Sequence, residues 1–212
     1  MVLGDFYMRK LTKEDQTFSN CLIEAYNNED IKTVLVMGFE DDDKFMISLM
    51  SALEAEKNAR VQLRVNLLEH TKELVQRAVD QYLKNTKVAF NTKNPLNIFG
   101  RKIPVDQWGR NSSFPVYNDI SIYYPVQTVI DGGNSNDFKK FSEALSNDHS
   151  KLRILVTTND VTKGYLKLDL LSNVVDKIMV LDSSEKFPEQ YNIILNNLNE
   201  DRIYYENFEL DN

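Results

Sequence analysis

Thr33-Val-Leu-Val-Met37, followed by Gly38-Phe-Glu-Asp-Asp-Asp43-Lys44-Phe45, is the stretch on which the reading of the fold turns. Its first five residues form a nearly unbroken apolar run, the pattern of a strand buried on both faces of a parallel sheet. Beyond the acidic turn the period changes. Phe45, Met46, Leu49, Met50 and Leu53 recur at helical spacing and predict a helix over residues 45–56. A strand that passes through a glycine into a helix is the repeating unit of an α/β sheet, and such sheets bind ligands at the carboxyl ends of their strands.

The same alternation extends outward from this unit. Residues 61–67 alternate with period two and predict a half-exposed strand. Glu69 to Leu83 reads as a helix with Leu74, Val75, Ala78, Val79 and Tyr82 on one face. Further strands are predicted at 126–130, 152–156 and 177–181, with a last short one at 202–205. Helices are predicted at 136–145, around 166–171 and at 190–197. Strands alternating with helices imply a doubly wound, mainly parallel sheet within one α/β domain spanning 1–212. Residues 86–124 have another texture, with Pro95, Pro104 and Pro115 among Phe90, Phe99, Trp108, Phe114, Tyr117, Tyr123 and Tyr124. They predict an irregular, aromatic-rich insertion. Its aromatics either face a protein partner or pack the insertion onto the sheet.

Composition narrows the function classes. Of 212 residues, 42% are hydrophobic and 27% charged, a globular balance that opposes disorder. The lone Cys21 excludes an internal disulfide and a cysteine metal cluster, and fits a reducing compartment. No run approaches the roughly 20 apolar residues of a membrane span, and the first residues lack the apolar core of a signal peptide. The expected location is therefore cytoplasmic. A net charge of −7 opposes general binding to phosphate backbones, although lysines and arginines gather between residues 57 and 110.

Three predicted strand ends bear on chemistry. The G-x-x-x-x-G-K-[ST] phosphate loop places glycines where backbone N–H groups must turn inward, then a lysine and a hydroxyl. Here Gly38 and Lys44 keep the spacing, but Asp43 replaces the second glycine and Phe45 the hydroxyl ligand of Mg²⁺. Glu40, Asp41, Asp42 and Asp43 would also repel phosphate, each close pair by about 1 kcal/mol even in water. The same acids suit a helix N-terminus. Asp131, after the predicted strand at 126–130, stands where a carboxylate would hold Mg²⁺ through water, but the residue after it is Gly132 rather than a catalytic acid. Thr157 and Thr158 end the 152–156 strand where a γ-phosphate could be sensed.

In this order, the loop at 38–45, Asp131, Thr157-Thr158 and the run Leu171 to Asp182 resemble the FtsK/SpoIIIE-type P-loop ATPases, in particular the C-terminal ATPase domain of type VII secretion coupling proteins. The resemblance implies a P-loop NTPase-type sheet in which Gly38, Lys44, Asp131 and Thr157 mark a vestigial nucleotide site. It implies no catalytic residue and no cofactor, ATP with Mg²⁺ being disfavoured by the missing residues. It implies a protein-interaction, substrate-recognition or regulatory module. Its partner is then a protein, a secretion substrate or a neighbouring ATPase domain of the same chain, at the cytoplasmic face of the membrane without inserting into it. The chain is readable as a whole protein or as a domain of a longer one.

Two other readings use the same residues: an active or nucleotide-binding ATPase domain, and a small DNA-associated scaffold on the same fold. His70 and His149 lie too far apart in sequence to suggest a metal site or a catalytic triad. The run Asp41 to Asp43 is the one candidate for weak Ca²⁺ or Mg²⁺ binding.

Overall fold

The computed structural model describes residues 11–83, 86–91, 94–110, 112–130, 135–158 and 168–197. A six-stranded, all-parallel sheet forms its centre. In chain order its strands are β1 (Thr33–Met37), β2 (Val61–Val65), β6 (Val105–Gln107), β7 (Ile120–Tyr124), β8 (Leu152–Val156) and β9 (Lys177–Val180). In space they run β6-β2-β7-β8-β1-β9, so β1 lies between the last two strands of the sequence.

Helices cover both faces, which is why β1 and β7 are buried along their whole length rather than at alternate residues. On one face lie α1 (Lys13–Asn27), α2 (Asp41–Ala55) and α3 (Leu68–Tyr82), burying Phe18, Leu22, Met46, Leu49, Val75 and Val79 against the sheet. On the other lie α4 (Gln127–Ile130) and α5 (Ser135–Ser146), where Phe141 and Leu145 pack with Leu35, Trp108 and Tyr123. A short 3-10 turn at Leu168–Leu171 precedes β9, and α6 (Pro188–Asn197) follows it. The doubly wound parallel architecture is thus as expected. Among the described residues no helix is long and apolar enough to cross a membrane.

Four readings need correction. Residues 126–130 are not a strand: Pro125 closes β7, Val126 donates its last sheet bond to Val156 O at 3.0 Å, and Gln127–Ile130 is helical. The strand is instead Ile120–Tyr124, buried along its whole length inside the segment read as an insertion. A proline has no N–H for a central ladder, so the apolar run after Pro125 could not take that place. Second, the insertion is more ordered than expected, because it supplies β6 and β7 to the main sheet. It also forms an antiparallel three-stranded sheet of β3 (Ala89–Asn91), β4 (Asn94–Ile98) and β5 (Arg101–Ile103). Leu96, Ile98 and Ile103 of that sheet join the core beneath α3. Third, β2 is not half exposed, since Arg64 and its apolar neighbours are all buried. Fourth, α2 begins at Asp41 rather than near Phe45, its first turn carrying three of the acids that suit a helix N-terminus.

Helix α1 escaped the pattern reading, although Thr12 and Asp15 form a reciprocal capping box at its start. The short strand expected at 202–205 lies outside the described residues.

Candidate functional site

The carboxyl ends of β1 and β8 meet where a phosphate would bind, and the loop between β1 and α2 there is only Gly38, Phe39 and Glu40. Gly38 has φ +151°, and a Cβ on it would come within 2.6 Å of the Leu181 carbonyl oxygen. Its glycine is thus explained by the neighbouring strand end, without any ligand. The turn closes directly into the helix, with Lys44 N–H bonded to Glu40 O at 3.1 Å.

Lys44 is fully buried. Its stem packs on Gly38, and its Nζ donates to Gly38 O at 2.6 Å and towards Thr157 Oγ1 at 3.4 Å, with Asp41 Oδ1 at 3.2 Å. Thr157 Oγ1 donates to Val36 O at 2.9 Å. The structure therefore brings Gly38, Lys44 and Thr157 together. The bonds run inward, so the ammonium neutralises the loop's own carbonyl and carboxylate. Asp131 and Gly132 lie outside the described residues, and the residues just before them form α4 rather than a strand end. β7, the strand beside β8, ends in Tyr124, whose ring stacks on Phe45 at 4.5 Å in the core. Burial, and secondarily Asp42 and Asp41, push its phenol well above the usual range.

The acidic run does not converge on a cation site. Asp41 faces Lys44, and Asp42 accepts from Arg77 Nε at 2.6 Å. Asp43, on the next turn position, points to Lys186 in the loop after β9. Among the described residues no group of three or more metal-ligating side chains is present.

Asp43 belongs to a buried cluster whose members lie far apart along the chain. Lys186 Nζ lies against both Asp43 and Asp15, the latter at 2.5 Å, and both carboxylates are fully buried. Tyr82 and Ser183 hydroxyls also donate to Asp43. One ammonium thus joins α1, α2, the end of α3 and the loop after β9. Burial raises the Asp43 carboxyl above its ordinary value, Lys186 and Ser183 oppose that shift, and Asp15 adds to it. The sequence reading missed both Asp15 and Lys186; the capping-box spacing from Thr12 to Asp15 is the one signal that could have marked the first, and nothing marked the second.

A second cluster lies on the α5 side of the sheet. Arg64 is fully buried, with Nη1 on Tyr123 Oη at 2.9 Å and Nη2 on Asp106 at 3.3 Å. The Tyr123 hydroxyl donates to the buried Asp148 at 2.7 Å, and Arg64 lies 3.7 Å from the same carboxylate. Among the aromatics of 86–124, Trp108, Tyr123 and Tyr124 are buried, whereas Phe114 and Tyr117 are 65% and 64% exposed. Tyr117 stacks on His149, which is itself exposed as expected of a loop residue.

No family model matches this sequence, and no curated protein does. Among solved structures, the chain is similar to the SWI2/SNF2 ATPase core of Sulfolobus solfataricus, determined in complex with dsDNA. The TM-score is 0.51 at 14% identity, over 83% of this chain and 38% of that one. Together with the parallel sheet, the likeness defines the class by its fold alone: a doubly wound α/β domain whose architecture is similar to that part of the ATPase core.

Proposed function

We propose that this chain is a non-catalytic, ATPase-like domain that serves as a protein-interaction or regulatory module. One observation carries the reading: the Lys44 ammonium, the group that would meet a β- or γ-phosphate, is buried on Gly38 O, Asp41 and Thr157. To bind nucleotide it would have to leave those oxygens, and the phosphate would enter beside Glu40 and Asp41 with their charges against it. Only three residues separate the strand from the helix, a short span from which to build a cradle of inward N–H groups. A module of this kind fits the end of an FtsK/SpoIIIE-type secretion coupling ATPase, working in the cytoplasm on a protein substrate or a neighbouring ATPase domain. The dsDNA belongs to the structural neighbour; here a net charge of −7 argues for a protein partner instead.

Titration calorimetry of the full chain with ATP and Mg²⁺ tests the reading. No binding is expected. A dissociation constant below about 100 μM, lost on Lys44→Ala, would overturn it.

A further inference from the structure

One stretch departs from the charge of the whole. Residues 81–105 hold Lys84, Lys87, Lys93, Arg101 and Lys102 and no aspartate or glutamate, in a chain of net charge −7. Part of this stretch folds into the sheet β3-β4-β5, which turns Leu96, Ile98 and Ile103 into the core. Its register sets Ala89 opposite Asn97 and Asn97 opposite Lys102, so these three form one row across the other side. All three are exposed. Lys87 is exposed as well, and Val88 between it and Ala89 is buried, so this alternation carries Lys87 to the same side.

The row is held firmly and its charge is not spent. Arg101 donates to Lys57 O at 2.9 Å and Ala59 O at 2.8 Å, tying the β4–β5 hairpin to the segment that enters β2. Lys87 and Lys102 make no ion pair among the described residues. Of the two acids that bound the stretch in sequence, Asp106 lies on Arg64. Asp80 stays on α3, where Gln76 Nε2 donates to it and to Thr86 O, both at 2.8 Å, and it borders the Lys87 end with the opposite charge.

We propose that the exposed side of β3-β4-β5 is a docking surface for a short, extended acidic segment of a partner protein. β3 and β5 are two strand spacings apart, about 10 Å, a span that carboxylates on alternate residues of an extended chain meet with the help of flexible lysine stems. Small Ala89 lets the visiting backbone approach, and the Asn97 amide can both donate to it and accept from it. A nucleic acid suits the surface less well. Arg101, the fork that would grip a phosphate, is committed to two carbonyls, and Phe90 and Phe99 are half-buried rather than open to stacking bases. A long polyanion would also run from the row onto acids such as Asp80, whereas a short segment stops before them. The inference rests on the reading of this chain as a protein-interaction module and names its surface and the chemistry of its partner.

Amide NMR spectra of the full chain, titrated at low salt with a short peptide of alternating glutamate and serine, test it. Shifts are expected at Ala89, Asn97 and Lys102, and the binding should weaken as salt is raised. Lys87→Glu and Lys102→Glu should each weaken it about tenfold. Lys140→Glu, the same change of charge at an exposed position of α5, should leave it within about twofold. All three lysines are exposed, so the fold is kept in each variant. Equal weakening by all three substitutions, shifts confined to other residues, or no binding overturns the proposal and leaves the interaction reading standing. An oligothymidylate that binds more tightly with the same lysine dependence also overturns it and assigns the surface to nucleic acid. Tight ATP binding in calorimetry sinks the underlying reading whatever the peptide does.

Discussion

The two buried clusters, one around Lys186 and one around Arg64, are built from the same parts and do different jobs. Each has one cation, two carboxylates and a tyrosine hydroxyl. Lysine presents a compact point charge, and Lys186 uses it to gather Asp15, Asp43 and Tyr82 at one spot between helices. Arginine presents a planar fork, and Arg64 spreads it across neighbouring strands, one arm to Tyr123 of β7 and the other to Asp106 of β6. The Lys186 cluster pins the first turn of α2, the place a phosphate would need. The Arg64 cluster ties the sheet to the segment between α5 and β8 and leaves the candidate site untouched. Ion pairs of equal composition can thus close a site or brace a sheet, depending on which elements they join.

The largest effect is expected from Lys186→Met. It strands two fully buried carboxylates facing each other, at a cost of about 3–5 kcal/mol read as a lower denaturation midpoint. If the loss is under about 1 kcal/mol, the cluster is not what holds α2 closed.

Arg64→Lys should cost less, about 2 kcal/mol, because one ammonium cannot reach both Tyr123 and Asp106 while Asp148 keeps its bonds from Tyr123 and the Ser150 N–H. The same lysine-for-arginine exchange would be nearly silent at a point-charge site, so an unchanged unfolding curve erases the distinction drawn between the clusters.

The smallest effect separates them by pH. The Asp43 carboxyl lies above its ordinary 3.8, chiefly through burial, so folding favours its protonated form. That contribution is complete below the ordinary value and is lost as pH rises through the raised one. Asp43→Asn keeps a neutral group beside Lys186, Tyr82, Ser183 and Asp15. The native chain should therefore lose stability relative to this variant between about pH 4 and neutrality. Denaturant midpoints across that range check it, and a difference that runs the other way contradicts the assignment.

Much of the fold was legible because it rests on local signals. β1, β8, β9, α3 and α5 fell where apolar runs and helical spacing put them. The errors came where two local signals competed. Ile120–Tyr124 and Val126–Ile130 are both apolar and β-prone, and the pattern alone did not weigh Pro125 between them. Arg64 looked solvent-facing because alternation places a charge outward, yet Tyr123, Asp106 and Asp148, all distant in sequence, satisfy it inside. The candidate site shows the same limit. The spacing from Gly38 to Lys44 was readable, but the direction of the lysine was not.

Sequence alone determined that an acidic, glycine-poor turn stands between a buried strand and a helix, because chain order and side-chain type are local properties. Only the tertiary structure decided that Lys44 turns onto Gly38 O and that Asp41, Asp42 and Asp43 each meet a separate cation. The physical reason is that two of those cations, Arg77 and Lys186, come from elements far along the chain. At Lys44 and Lys186, whose ammonium groups are shut away from water, burial makes the pairing stronger than the same charges would feel in solvent.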